Sequence, residues 1–322
     1  MIRSVSFLLS FVSLMLALEA VPILAQNEAP PGDLISLYKE IYKRFESGAP
    51  TPPPSDSVLT FLGRWPWGPC VAVAAKGNYA YISNGPMFQV LDVSNPAEPR
   101  IVGEYETWVN DIFIRDSVAF IAGNSFVILN VSDPANPRLI SEVQYNAGVR
   151  RVMVEGDFAY LLTGNGSFRV VDISNLHAPY WRGFLGGVGG DVPRSLAVRN
   201  GYAYIGDLEF PRISVVNATN PDSLWGRNIL FVGIVVSLHA SDTLLYVGRS
   251  TRLQPYSIAD PMNPVPLGSV NVRGTLSTIT VSGSTAYVTT DGSGIYAVNV
   301  SNPVMLQRKM DFWGSVICER CS

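Results

Sequence analysis

The sequence predicts an all-β protein: a β-propeller of six four-stranded repeats, preceded by one short N-terminal helix. Three observations predict it. A stretch of small residue, aromatic and aliphatic recurs six times, centred on Tyr81, Phe120, Tyr160, Tyr204, Tyr246 and Tyr287, at spacings of 39, 40, 44, 42 and 41 residues. About ten residues after each aromatic comes a turn rich in Asp and Asn. Finally, 28 Gly and 23 Pro punctuate runs of β-branched and aromatic residues, the pattern of short strands joined by tight turns. A period near forty built from such strands is the period of propeller blades.

Composition sets the outer limits. With 322 residues, 47% hydrophobic and 15% charged, the chain can bury a large core and lies outside the disordered class. A net charge of −3 without a basic run excludes the cationic footprint of nucleic-acid binding. Residues 1–25 read as a secretory signal: Arg3 supplies the positive start, and Ser4 to Leu18 is uncharged and mostly apolar. That run is shorter than the roughly 20 apolar residues a membrane span needs, so cleavage is expected, after Ala25 in preference to Ala20. The mature chain then has no transmembrane segment and is secreted, periplasmic or displayed on the cell surface. Three cysteines, Cys70, Cys318 and Cys321, are too few for a disulfide framework. Cys318 and Cys321 form a C-x-x-C pair, but with no second pair or neighbouring His they read as part of a tail.

Residues 26–56 form a lead-in. Leu34, Leu37, Tyr38, Ile41, Tyr42 and Phe45 recur at helical spacing and give one apolar stripe, with Asp33 as N-cap and Gly48 as stop. Ala49 to Pro54 is a stiff, Pro-rich linker. The repeats occupy 57–314, and 315–322 is either a tail or the start of a missing blade. In the first repeat Val71 to Ala75 is expected as the inner strand, Tyr79 to Ser83 as the second, Phe88 to Val93 as the third and Arg100 to Tyr105 as the outer one.

Each third strand runs into a turn of one design. It reads Asp92-Val-Ser-Asn-Pro96, Asn130-Val-Ser-Asp-Pro134, Asp172-Ile-Ser-Asn-Leu176, Asn217-Ala-Thr-Asn-Pro221, Ser257-Ile-Ala-Asp-Pro261 and Asn299-Val-Ser-Asn-Pro303. Asx and Ser side chains bond to nearby backbone N–H groups, and proline forbids the strand to continue. The third copy lacks the proline, and the fifth has Ser257 in place of the Asx. The aliphatic runs before these turns, Val90-Leu-Asp-Val93, Val127-Ile-Leu-Asn-Val131 and Val170-Val-Asp-Ile173, together with the turns themselves, resemble the LVIVD repeat family of exported bacterial β-propeller proteins. The resemblance covers Ser57 to about Trp313. It implies the propeller fold and no shared catalytic residues.

Ring closure is legible as a count of strands. Val58 to Gly63 matches the outer-strand pattern of later repeats, yet the last repeat has its own outer strand in Met305 to Phe312. Trp313-Gly314 mirrors Trp67-Gly68, as though a further inner strand were beginning. Two readings follow: six blades with a surplus N-terminal strand, or, preferred, a truncated seven-bladed ring.

Chemistry is sparse. The acceptor patterns at Asn130, Asn165, Asn217 and Asn299 match N-glycosylation sites, and three of the four are simply the repeated turn. No segment has the alternating carboxylates of a calcium loop, and no nucleophile elbow, P-loop or dinucleotide fingerprint occurs. No catalytic residue, metal or cofactor is assigned. Of the two histidines, His177 lies in a turn, while His239 stands where other repeats have Ala74, Phe113, Met153, Ala197 and Thr280.

A binding face is the stronger candidate. Loops leading into the inner strands and loops joining second to third strands open on one face around the channel. They bring forward Asn110, Asp111, Arg150, Arg151, Arg194, Asp207, His239 and Arg249, positions that vary where the scaffold repeats. Arg150, Arg151 and Arg194 suit forked bonds to an anionic group, or an exposed network with Asp111, Asp207 and Glu209. The expected function is a non-enzymatic exported scaffold whose channel face binds a protein or glycan. The alternative is a propeller hydrolase or lyase acting on a small anionic or sugar substrate, with His239 involved.

Overall fold

The computed structural model describes residues 70–188, 193–207, 211–291 and 294–312. The expected signal segment, the apolar stripe from Leu34 to Phe45, the expected surplus strand Val58 to Gly63, Trp313 and the C-x-x-C pair all lie outside the described residues. Six antiparallel sheets follow one another along the chain. Blade 1 contains β1 (Val73–Lys76), β2 (Tyr79–Asn84), β3 (Met87–Asp92) and β4 (Arg100–Glu106), and blade 2 contains β5 (Asp111–Arg115), β6 (Val118–Ala122), β7 (Phe126–Asn130) and β8 (Arg138–Val143). Blade 3 contains β9 (Val149–Glu155), β10 (Phe158–Thr163), β11 (Phe168–Asp172) and β12 (Tyr180–Leu185). Blade 4 contains β13 (Pro193–Arg199), β14 (Tyr202–Asp207), β15 (Arg212–Asn217) and β16 (Trp225–Phe231).

Blade 5 contains β17 (Val235–Ser241), β18 (Leu244–Arg249), β19 (Arg252–Ser257) and an outer strand broken into β20 (Val265–Pro266) and β21 (Val270–Asn271). Pro264 and Pro266 explain the break, because proline cannot donate to a ladder and is tolerated at a sheet's edge. Blade 6 contains β22 (Thr275–Ser282), β23 (Thr285–Asp291), β24 (Gly294–Asn299) and β25 (Gln307–Phe312). The inner strands β1, β5, β9, β13, β17 and β22 lie beside one another in chain order. The described residues form a six-bladed β-propeller, as the six repeats predict, and the stretches behind the preferred truncated seven-bladed ring, Val58 to Gly63 and Trp313-Gly314, lie outside them. In blade 1 the inner strand begins two residues later than expected, because the N–H groups of Val71 and Ala72 take the Ser83 hydroxyl at 2.8 and 3.0 Å instead of a ladder partner.

The repeated turn works as its residues require. Ser94 N–H donates to Asp92, Ser132 to Asn130, Ser174 to Asp172, Thr219 to Asn217 and Ser301 to Asn299, all at 2.8–3.1 Å. The departing fifth copy keeps the contact weakly, with Ala259 N–H 3.4 Å from Ser257 Oγ. The Asn/Asp three residues on makes a second such bond; in the copy without proline, His177 N–H still reaches Asn175 at 3.1 Å.

Five of the six aromatics sit on the blade face turned to the next blade. Tyr81 joins a core shared by blades 1 and 2, Phe120 by 2 and 3, Tyr160 by 3 and 4, Tyr204 by 4 and 5, and Tyr246 by 5 and 6. These five are at most 4% exposed, whereas Tyr287 in blade 6 is 39% exposed. Val73 of blade 1 is 67% exposed while its counterparts Ile112, Val152, Leu196, Leu238 and Ile279 are at most 7%. Among the described residues no apolar cluster joins blade 6 to blade 1.

A second set of links runs around the face opposite the channel loops. Lys76 Nζ donates to the Asp116 carbonyl at 2.7 Å, Arg115 donates to the Gly156 carbonyl, and Glu155 accepts the N–H groups of Asn200 and Gly201 at 2.8 Å each. Arg199 pairs with Asp242 at 3.0 Å. In each case the end of one inner strand clasps the first hairpin of the next blade. Those hairpins turn through positive φ at Asp116, Gly156, Asn200, Gly201 and Asp242, which points their backbone groups outward.

Candidate functional site

The channel face is assembled by backbone as much as by side chains. Asn110 N–H donates to the Ala122 carbonyl at 2.7 Å, and Val149 N–H to the Gly123 carbonyl at 2.7 Å. The Asn110 side chain then donates to the Val149 carbonyl at 2.8 Å. These bonds sew the loop entering blade 2 to the loop entering blade 3. Asn110 is therefore a seam residue.

Strand register confirms that Ala72, Asp111, Arg151, Ser195, Ser237 and Thr278 occupy one position, opposite Ser83, Ala122, Leu162, Gly206, Gly248 and Thr289 where paired. At three of these positions the side chain reaches the next blade. Asp111 accepts Val152 N–H at 3.0 Å, Ser237 accepts Ile279 N–H at 3.1 Å, and Arg151 Nε donates to the Arg194 carbonyl at 2.7 Å. Arg151 also reaches back to the carbonyls of Asn110 at 3.2 Å and Arg150 at 3.1 Å. Its guanidinium thus ties blades 2, 3 and 4 together. Asp111 keeps some solvent-accessible surface, yet the protein packed around it raises its carboxyl above the ordinary value, with the nearby Arg151 offsetting part of that cost.

The predicted arginines consequently divide. Arg150 is exposed and, among the described residues, its side chain has no hydrogen-bond partner. Arg194 is half-buried and likewise has no side-chain acceptor among the described residues; burial and then the neighbouring Arg151 lower its pKa, while Asp291 of blade 6 acts in the opposite sense. Two cationic groups with unspent donors therefore flank one tied guanidinium. Toward the carboxylates, Arg151 spends its donors on carbonyls and acts on Asp111 through its charge, and Asp207 is 2% exposed, paired in register with Pro193 at the end of β14. Glu209 lies outside the described residues.

His239 and Arg249 stand apart from this group. His239 lies in β17 on the seam with blade 6, packed against Tyr246 with ring centroids 6.5 Å apart. Burial lowers its pKa and keeps the imidazole neutral. No carboxylate lies within hydrogen-bond reach of it among the described residues. Arg249 donates to the Val232 carbonyl and to Gln254, fastening the loop into blade 5. Among the described residues no three His, Cys, Asp or Glu side chains converge to hold a metal ion. No helix of the described residues is long and apolar enough to cross a membrane.

Comparison with solved structures returns likenesses over most of the chain. A putative 6-phosphogluconolactonase from Bacteroides fragilis superposes with a TM-score of 0.63 at 10% identity, covering 78% of this chain and 86% of its own. A functionally unknown protein from Desulfotomaculum acetoxidans gives 0.61 at 11% identity, with 74% and 84% covered. Sqt1 of Saccharomyces cerevisiae gives 0.53 at 9% identity, with 75% and 84% covered. At such identities the likeness is one of fold alone. No curated protein sequence matches the chain. The family model of the LVIVD repeat matches residues 68–107, 109–144, 148–183, 189–210 and 273–311, more than half of the chain. It passes over blade 5, whose turn carries Ser257 and whose outer strand is broken, although the structure retains that blade. The chain belongs to the LVIVD repeat family.

Proposed function

We propose that this propeller is a non-enzymatic scaffold that is exported and presents its channel face to an anionic protein or glycan partner in the periplasm or at the cell surface. The observation that carries the reading is the pair Arg150 and Arg194. Seam contacts take up donors of Arg151, Asn110 and Arg249, whereas among the described residues these two guanidiniums keep theirs, on adjacent blades. An arginine fork held in place by a rigid sheet is suited to carboxylate, sulfate or phosphate groups. The uncharged N-terminal stretch after Arg3 supports export.

The hydrolase or lyase alternative would need a proton-transfer group near the channel. His239, the histidine available in an inner strand, packs on Tyr246 instead, and the lactonase neighbour supplies only a shared fold.

The test is capture of a partner from the secreted or envelope fraction by the intact chain and by the Arg150→Ala/Arg194→Ala double variant. The reading expects a partner retained by the parent and lost by the variant, with both equally folded by circular dichroism. Equal retention by the two would overturn it.

A further inference from the structure

Besides Arg150 and Arg151, blade 3 carries a guanidinium in an unusual setting. Arg169 lies in β11 opposite Leu161, the register position held by Gln89, Val127, Ser214, Gln254 and Tyr296 in the other blades, and it is the only charged residue of the six. Three rings surround it. Its guanidinium carbon is 4.3 Å from the centroid of Tyr145, 5.0 Å from Phe184 and 5.3 Å from Trp181. Tyr145 and Trp181 also touch each other, with centroids 5.6 Å apart.

The rings are held in place. Asn165 Nδ2 donates to the Tyr145 hydroxyl at 3.2 Å, and the Thr163 hydroxyl donates to Asn165 Oδ1 at 2.7 Å. A register shift between Arg169 and Val171 brings Trp181 and Phe184 of β12 into the same cluster. The Nε of Arg169 is buried without an acceptor, and among the described residues no carboxylate pairs with this side chain. Its side chain also acts on the Tyr145 hydroxyl as a hydrogen-bond donor, and the cluster is bordered by Phe184, which is 60% exposed.

A half-buried charge is ordinarily paired with a carboxylate. Here aromatic faces and the Tyr145 hydroxyl take up part of the lost hydration, and among the described residues no carboxylate takes the bidentate edge. Such a patch matches a ligand with one carboxylate for the fork and a flat, weakly apolar face for the rings, with hydroxyl groups for Asn165 and Tyr145 at its border. A six-membered sugar acid has these three properties in one unit. We propose that Arg169, Tyr145, Trp181 and Phe184 form a binding site for a hexuronate residue of an acidic polysaccharide. This site goes beyond the reading based on Arg150 and Arg194, and it does not depend on either residue.

The experiment is calorimetric titration of the folded chain with an oligogalacturonate of defined length. Parallel arms use a neutral oligosaccharide of equal length, sodium sulfate and a Glu-rich peptide. Saturable binding is expected for the oligogalacturonate alone. Arg169→Gln should weaken it by about tenfold or more and Arg169→Lys by less, because the fork and not the charge alone is recognised. Phe184→Ala, at an exposed ring, should weaken it several-fold without shifting the melting temperature. Arg150→Ala/Arg194→Ala should leave it within about twofold, which separates this site from the channel-mouth reading. Absence of oligogalacturonate binding, equal binding to Arg169→Gln and Phe184→Ala, or binding of sulfate, the neutral sugar or the peptide as tight as that of the uronate would each overturn the proposal.

Discussion

Arg151 Nε donates to the backbone carbonyl of Arg194 at 2.7 Å, across the boundary between blades 3 and 4. Since the same guanidinium also serves the carbonyls of Asn110 and Arg150, its removal leaves several acceptors short of a partner. Arg151→Ala is expected to cost about 2 kcal/mol of stability. Arg150→Ala, exposed and without a side-chain partner among the described residues, should stay within about 0.5 kcal/mol. Urea melts of the two variants check this, and equal losses would refute the division of roles.

The last blade makes a second contrast. Tyr204 is fully buried between blades 4 and 5, while Tyr287, its counterpart in blade 6, is 39% exposed. Tyr204→Ala is expected to cost about 3–5 kcal/mol and Tyr287→Ala about 1 kcal/mol or less. If the two cost the same, Tyr287 has a packed neighbour in solution.

Gly103 in the outer strand of blade 1 packs on the next blade's turn: a Cβ built there would lie 2.1 Å from the Pro134 carbonyl oxygen. Gly183 meets the Pro221 carbonyl oxygen at the same distance. Backbone on both sides leaves little room to give way. Gly103→Ala should therefore destabilise by about 1–3 kcal/mol, whereas in blade 2 the equivalent Ser141 donates its hydroxyl to the Leu176 carbonyl at 2.6 Å. Thermal unfolding of Gly103→Ala and Gly103→Ser tests the point; the serine variant should recover part of the loss.

Asp111 gives a pH dependence with a definite sign. Burial raises its folded-state pKa above the ordinary 3.8, so the folded chain holds this proton more tightly than the unfolded chain. Protonation therefore favours folding. The contribution is fully present below the unfolded value and is lost as pH rises from there through the raised folded value. Asp111→Asn keeps a side-chain oxygen for the Val152 N–H and removes the titration. The stability difference between parent and variant should move toward the variant as pH rises from 3.8; a flat difference, measured by denaturant melts at several pH values, would contradict this.

Much of the architecture was readable before any coordinates. The repeat unit, the order of its four strands and the Asx turns after β3, β7, β11, β15, β19 and β24 follow from residues that recur because each blade meets the same local problem, whereas the number of blades in the closed ring was left between six and a preferred seven. Even the two irregular turns, with Leu176 and Ser257, were visible as departures. The candidate face was read less fully. Its residues vary, and variation alone does not separate a side chain that binds a ligand from one that binds the next blade. Asp111, Arg151 and Ser237 proved to be of the second kind, and Arg249 fastens a loop. Arg169 was passed over because it lies in the middle of an aliphatic strand; the signal was there, in a single charge among Gln89, Val127, Ser214, Gln254 and Tyr296.

Local chemistry is written in the chain because strands, hairpins and Asx turns need only neighbouring residues, and a period near forty makes the same unit inevitable six times. Contacts between blades are different. Arg151 with Arg194, Glu155 with Gly201 and Arg169 with Tyr145 join residues whose meeting depends on how one sheet packs on the next, and the open face of Tyr287 depends on what stands beside the last blade. Those relations exist only once one sheet is packed on the next, which is why the pattern of residues specified the blades and the packed structure alone decided which side chains are spent on joining them.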